Sequence, residues 1–101
     1  MTSLESKQGP RAQNVSVTDD ALVVDLVDGR TLTVSVPWYP RLSQADAEER
    51  ADWELVGSGQ GIHWPKLDED IMVNHLIEGR RSAESRDSLA KWLLGRARAI
   101  R

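Results

Sequence analysis

From Val15 to Val36 the apolar residues fall at every second position: Val15 and Val17, then Leu22, Val24 and Leu26, then Leu32, Val34 and Val36. Successive side chains of an extended chain point to opposite faces, so this period of two prescribes strands with one buried face. Turn-forming residues interrupt the run at Thr18 to Asp20 and again at Asp28-Gly29. The pattern predicts a three-stranded antiparallel meander. The second turn constrains its register. A two-residue loop would set Leu26 opposite Thr31 and Leu22 opposite Ser35, pairing apolar with polar residues. An odd-numbered loop, with Gly29 in the left-handed conformation, keeps Leu22, Val24 and Leu26 on the face of Leu32, Val34 and Val36.

The remaining elements follow in order. Pro37-Trp38-Tyr39-Pro40 closes the sheet edge, because neither proline can donate a ladder hydrogen bond. A short helix is expected next, with Ser43 as N-cap, Asp46 at the third helical position, and an end near Asp52. Asp46, Glu48 and Glu49 complement the positive end of its dipole. Trp53 and Leu55 alternate with Glu54, and Ile62 and Trp64 alternate with His63, which predicts a second hairpin around the glycine-rich stretch 57–61. The acidic run Asp68-Glu69-Asp70 reads as a loop, followed by a short helix from Val73 to Glu78 that Gly79 terminates. Leu89, Trp92, Leu93, Ala97 and Ile100 share one face of a final helix starting near Ser82 or Ser85, with Lys91, Arg96, Arg98 and Arg101 opposite. The expected class is α+β: a flexible N-terminal arm over 1–13 and a single domain over 14–101.

At 101 residues the chain can enclose one hydrophobic core. Its longest apolar run, Ala21 to Val24, is far short of the roughly 20 residues that span a bilayer, and residues 1–13 hold no apolar signal region. The absence of cysteine excludes a disulfide framework, a thiolate metal site and a thiol nucleophile. A soluble protein of the cytoplasm is expected. The net charge of −3 is unevenly spread. Residues 1–79 hold 6 Lys and Arg against 14 Asp and Glu, a balance of −8, whereas residues 80–101 hold 7 against 2, a balance of +5.

No residue set meets the spacing that catalysis or metal binding requires, so neither an enzyme nor a cofactor is expected. His63, Asp68, Glu69, Asp70 and His75 are ligand types, yet no His-x-x-x-His or Glu-x-x-His pair exists. In a half-buried strand His63 points away from Ile62 and Trp64, toward solvent or a partner. The glycines of 57–61 lack the strand-before, helix-after context of a phosphate loop, and suit a tight hairpin instead. Trp53, Trp64 and Trp92 lie on apolar faces and fill the core of a chain without phenylalanine. Trp38-Tyr39, held between prolines at a sheet end, is the better candidate for an exposed aromatic contact.

Tyr39-Pro40-Arg41-Leu42, Glu48-Glu49-Arg50, Trp53-Glu54-Leu55, Gly59, Gly61-Ile62-His63-Trp64-Pro65 and Leu67-Asp68-Glu69-Asp70-Ile71 resemble the bacterial domain of unknown function 2442. The resemblance runs from about Val15 through Gly79 and extends weakly to Ser85 and Lys91-Trp92-Leu93. It implies a small α+β domain of the prokaryotic cytoplasm with no settled activity. Some members are regarded as antitoxins paired with a small toxin, and at least one resembles this domain joined to a helix-turn-helix. With no second helical domain in this sequence, direct operator reading is not expected.

The acidic body points to a non-enzymatic interaction module that binds, and as an antitoxin would inhibit, a basic or nucleic-acid-handling protein. Trp38, Tyr39, Glu48, Glu49, His63, Asp68, Glu69 and Asp70 are its expected contacts. The alternative is a nucleic-acid binder or transcriptional co-regulator using Arg80, Arg81, Arg86, Lys91, Arg96 and Arg98 to neutralise phosphates. An open meander edge also admits a homodimer.

Overall fold

The computed structural model describes residues 9–99, with side chains up to Ala97. Most of the expected arm therefore lies outside the described residues. The first strand nevertheless reaches into it, starting at the buried Ala12.

The meander forms as the apolar period requires: β1 (Ala12–Val17), β2 (Ala21–Leu26) and β3 (Thr31–Ser35) pair antiparallel in that order. Leu22 faces Val34 and Val24 faces Leu32. The connecting loop has the expected odd length. The Leu26 N–H donates to the Arg30 carbonyl at 2.7 Å, leaving Val27, Asp28 and Gly29 to turn the chain, with Gly29 at φ 97°.

After β3, one turn of 3-10 helix (Val36–Trp38) leads into α1 (Pro40–Ser43) and α2 (Ala47–Ala51). Here the expected cap is displaced. Pro40 starts a helix, since its fixed φ and missing N–H cost nothing in a first turn. Ser43 ends that helix instead of capping one. Asp46 is the N-cap of α2, accepting from the Glu49 N–H at 2.8 Å, while the Glu49 carboxylate accepts from the Asp46 N–H at 2.9 Å.

The second hairpin forms from β4 (Glu54–Val56) and β5 (Gly61–Trp64), and a strand absent from the sequence reading, β6 (Glu69–Met72), pairs with the far side of β5. Two of the three residues of the acidic run expected as a loop, Glu69 and Asp70, are thus in a strand. Short helix α3 (Val73–Ile77) follows, closed by Gly79 at φ 77°, and α4 (Arg86–Ala99) starts behind Ser85, whose Oγ accepts from the Ser88 N–H.

Both sheets bury their apolar faces in one core that includes Leu22, Val24, Leu26, Leu42, Ile62, Trp64, Leu67 and Val73, each almost wholly buried. Trp64 reaches its centre and donates its indole N–H to the Arg50 carbonyl at 3.1 Å, so its one polar atom is satisfied there. The sheets meet where the Ala12 N–H donates to the Gly59 carbonyl at 2.7 Å. Gly59 has φ 97°, and a Cβ on it would lie 2.5 Å from the Ala12 carbonyl oxygen. No described helix is long and apolar enough to cross a membrane.

Helix α4 docks through charge and aromatic contact more than through apolar burial. Trp92 is only partly buried, and the Arg41 and Arg96 guanidinium groups lie 5.0 and 4.7 Å from its ring centre. Arg41 holds Glu84 ahead of the helix at 2.6 Å, and Arg96 holds Glu49 of α2 with bonds of 2.7 and 2.8 Å.

Candidate partner-binding face

The second sheet presents one face to the core and leaves the other uncovered by any described element. Its register decides which residues share that outer face. Glu54 pairs with His63 and His63 with Asp70; two residues along each strand, Val56 pairs with Gly61 and Gly61 with Met72. Neighbours across strands share a face, so the outer surface carries a charged row, Glu54–His63–Asp70, beside an apolar row of Val56 and Met72. Val56 and Met72 are 39% and 40% exposed. They close over Gly61, where a Cβ would come within 2.7 Å of Val56 and 3.0 Å of Met72.

His63 Nδ1 lies 2.6 Å from the Asp70 carboxylate. That hydrogen bond raises the imidazole pKa above its usual value, and the charges of Asp70, Glu54 and Asp68 raise it further. Asp68 stands at the rim with an almost fully exposed side chain and the left-handed φ of 51°. Arg41 holds this turn by donating to the Leu67 and Asp68 carbonyls at 3.0 and 3.1 Å.

The fold separates the acidic run. Asp70 and Asp68 face outward, whereas Glu69 pairs with Trp64 on the inner face and is partly buried. Burial lifts its carboxyl to about 7, against the pull of Arg41. Among the expected contacts, His63, Asp68 and Asp70 are brought together; the others are not. Tyr39, read as exposed, is buried and donates its hydroxyl to the Arg80 carbonyl at 2.6 Å. It is half of a proline-flanked pair, but its ring closes the core. Trp38 is half-buried beneath Arg81, whose guanidinium lies 4.8 Å from its ring centre. Glu49 is occupied by the cap and by Arg96, which lowers its pKa, and Glu48 is exposed on α2, away from the sheet. Glu54, Val56 and Met72 belong to the face and were missed, because cross-strand register joins residues distant in sequence.

The basic residues do not make one open face. Arg96, expected on the solvated side of α4, turns to Glu49 and Trp92; Arg81 lies on Trp38, and Arg80 pairs with Glu78 at 2.8 Å. Arg86 and Lys91 are exposed, and the Arg98 side chain lies outside the described residues. No group of three potential metal ligands occurs among the described residues.

The architecture defines a class: a small α+β domain of two three-stranded antiparallel sheets on one core, with a helical C-terminal appendage and an acidic sheet face left open. The chain belongs to the family described as protein of unknown function (DUF2442), which it matches over residues 12–82. It is similar to a crystal structure of a protein of unknown function from Rhodospirillum rubrum, with 27% identity and a TM-score of 0.65, covering 74% of this chain and 93% of that one. An uncharacterized protein from Chromobacterium violaceum, solved by NMR, shares the fold at 22% identity and a TM-score of 0.65, over 90% of this chain and 89% of that one. No curated protein matches the chain in sequence.

Proposed function

We propose that this protein is a non-enzymatic interaction module that binds a basic protein partner on the outer face of the second sheet, in the manner of an antitoxin occupying a nucleic-acid-handling toxin. The observation that carries this reading is the face itself. Three acids, Glu54, Asp68 and Asp70, lie along one side of two exposed apolar side chains, Val56 and Met72, on a surface no described element covers. Apolar contact supplies affinity in such an arrangement, while the adjacent charge steers the encounter and selects a cationic partner. The domain would act by occupying the partner's surface in the soluble cytoplasm.

The test is kinetic. A small basic protein co-purifying from the native host, or encoded beside this gene, is presented to the wild type and to a Glu54→Lys, Asp68→Lys, Asp70→Lys variant. The association rate should fall by about tenfold or more and lose most of its salt dependence. Unchanged kinetics, or the absence of any such partner, refutes the reading.

A further inference from the structure

Strand β6 is an edge strand, paired with β5 on one side and with no described strand on the other. Ile71 faces Ile62, and the Val73 N–H donates to the Gln60 carbonyl at 2.9 Å. In an antiparallel ladder, backbone groups alternate in direction along the strand. Those of Ile71 therefore point to β5, and the N–H and C=O of Asp70 and the N–H of Met72 point away from it, while the C=O of Met72, the N-cap of α3, is taken up by the first turn of that helix. Beside that open edge lies a cleft of about 330 Å³, bounded by β6 and the segment 80–83. The segment is held off the strand by two bonds: Tyr39 Oη donates to the Arg80 carbonyl at 2.6 Å, and the Ser82 N–H donates to the Trp38 carbonyl at 3.1 Å.

Tyr39, Ile71, Met72 and Ala83 supply apolar walls, and Glu69 lines the same cleft. Among the described residues, the Glu69 carboxyl has neither a hydrogen bond nor an ion pair. The cations of the opposite wall are engaged elsewhere: Arg80 with Glu78, and Arg81 over Trp38.

We propose that the free edge of β6 is a strand-addition site for an extended basic segment of the partner, one of whose lysine or arginine side chains enters the cleft and pairs with Glu69. This rests on the reading above, that the partner is basic. An added strand pairs with the outward N–H and C=O of Asp70 and the outward N–H of Met72. Its side chains alternate, so a cation on one face meets Asp70 and a cation on the other meets Glu69. The aliphatic stem of the second lies along Tyr39 and Ile71 while its charged head reaches the carboxylate. The arriving charge also replaces the proton that burial retains on Glu69.

The probe is the blocked hexapeptide Val-Val-Lys-Lys-Val-Val, whose adjacent lysines fall on opposite faces of an added strand, titrated into the isotopically labelled full chain and followed by amide chemical shifts. Met72 has φ −86°, close to the angle proline imposes, so Met72→Pro removes one outward N–H with little strain; Met72→Ala controls for loss of the side chain. The peptide should shift the Asp70 and Met72 amides of the wild type, and Met72→Ala measures what loss of the side chain alone costs. Met72→Pro should bind about tenfold more weakly than Met72→Ala, and Glu69→Gln about tenfold more weakly than the wild type. Equal binding by those two variants overturns the proposal, as does equal binding of a valine and glutamate peptide, or no shift at millimolar peptide. Shifts confined to Glu54 and His63 that vanish in the triple-lysine variant would leave the acidic-face reading standing and remove the edge site alone.

Discussion

Replacing Glu69 by glutamine should stabilise the fold at alkaline pH and do little in acid. Glu69 is raised from 4.5 to about 7, first by burial and then by the charges of Glu84, Asp70 and Asp68, with Arg41 opposing. Between those values the folded chain keeps a proton that the unfolded chain releases, so stability falls as pH rises from 4.5 through 7. At about 1.4 kcal/mol per tenfold change the full shift corresponds to a ceiling of ~3 kcal/mol. Water reaching the carboxyl from the cleft screens it, and about 1–2 kcal/mol is the expected loss. Glutamine keeps the shape and cannot ionise. Urea unfolding of wild type and variant at pH 4 and pH 8 measures the difference directly. The variant should match the wild type within about 0.5 kcal/mol at pH 4 and exceed it by about 1–2 kcal/mol at pH 8. A difference of the same size at both values would refute the argument, since a packing change has no reason to follow the proton.

Two glycines should respond with opposite sign: Gly59→Ala, at φ 97° and 2.5 Å from the Ala12 carbonyl, should cost about 2 kcal/mol or more, whereas Gly95→Ala, in α4 with open space around it, should add about 0.5–1 kcal/mol, both read from denaturant midpoints. Arg41→Ala leaves the partly buried Glu84 unpaired and uncovers Trp92, so it should cost about 2–3 kcal/mol. Amide exchange in α4 should quicken more than exchange in β2, and uniform quickening would show that Arg41 does not hold the helix.

Much of the architecture was legible from short-range pattern. The alternation from Val15 to Val36 needs only neighbouring residues to be read, and the odd loop at Gly29 follows from requiring one apolar face. The second hairpin and α4 were legible for the same reason. Strand β6 was not, because two of its four residues are acidic and lie on opposite faces, and a four-residue segment carries little periodic signal. The helix cap falls at Asp46, three residues beyond Ser43, because Asp46 and Glu49 bond each other's backbone N–H reciprocally.

The candidate site was legible only in part. Its acids were visible as composition, but Asp68-Glu69-Asp70 reads as one negative patch until a strand turns successive side chains to opposite sides. Glu54 joins His63 and Asp70 through pairing across two strand gaps, and Glu49 meets Arg96 across 47 residues of sequence. Periodicity, turns and charge balance are local quantities, so the amino-acid sequence alone determined the first five strands, the meander register and the acidic body. Which acids stay in water, which is pushed into a cleft unpaired, and which edge remains open depend on distances between segments that only the closed core sets.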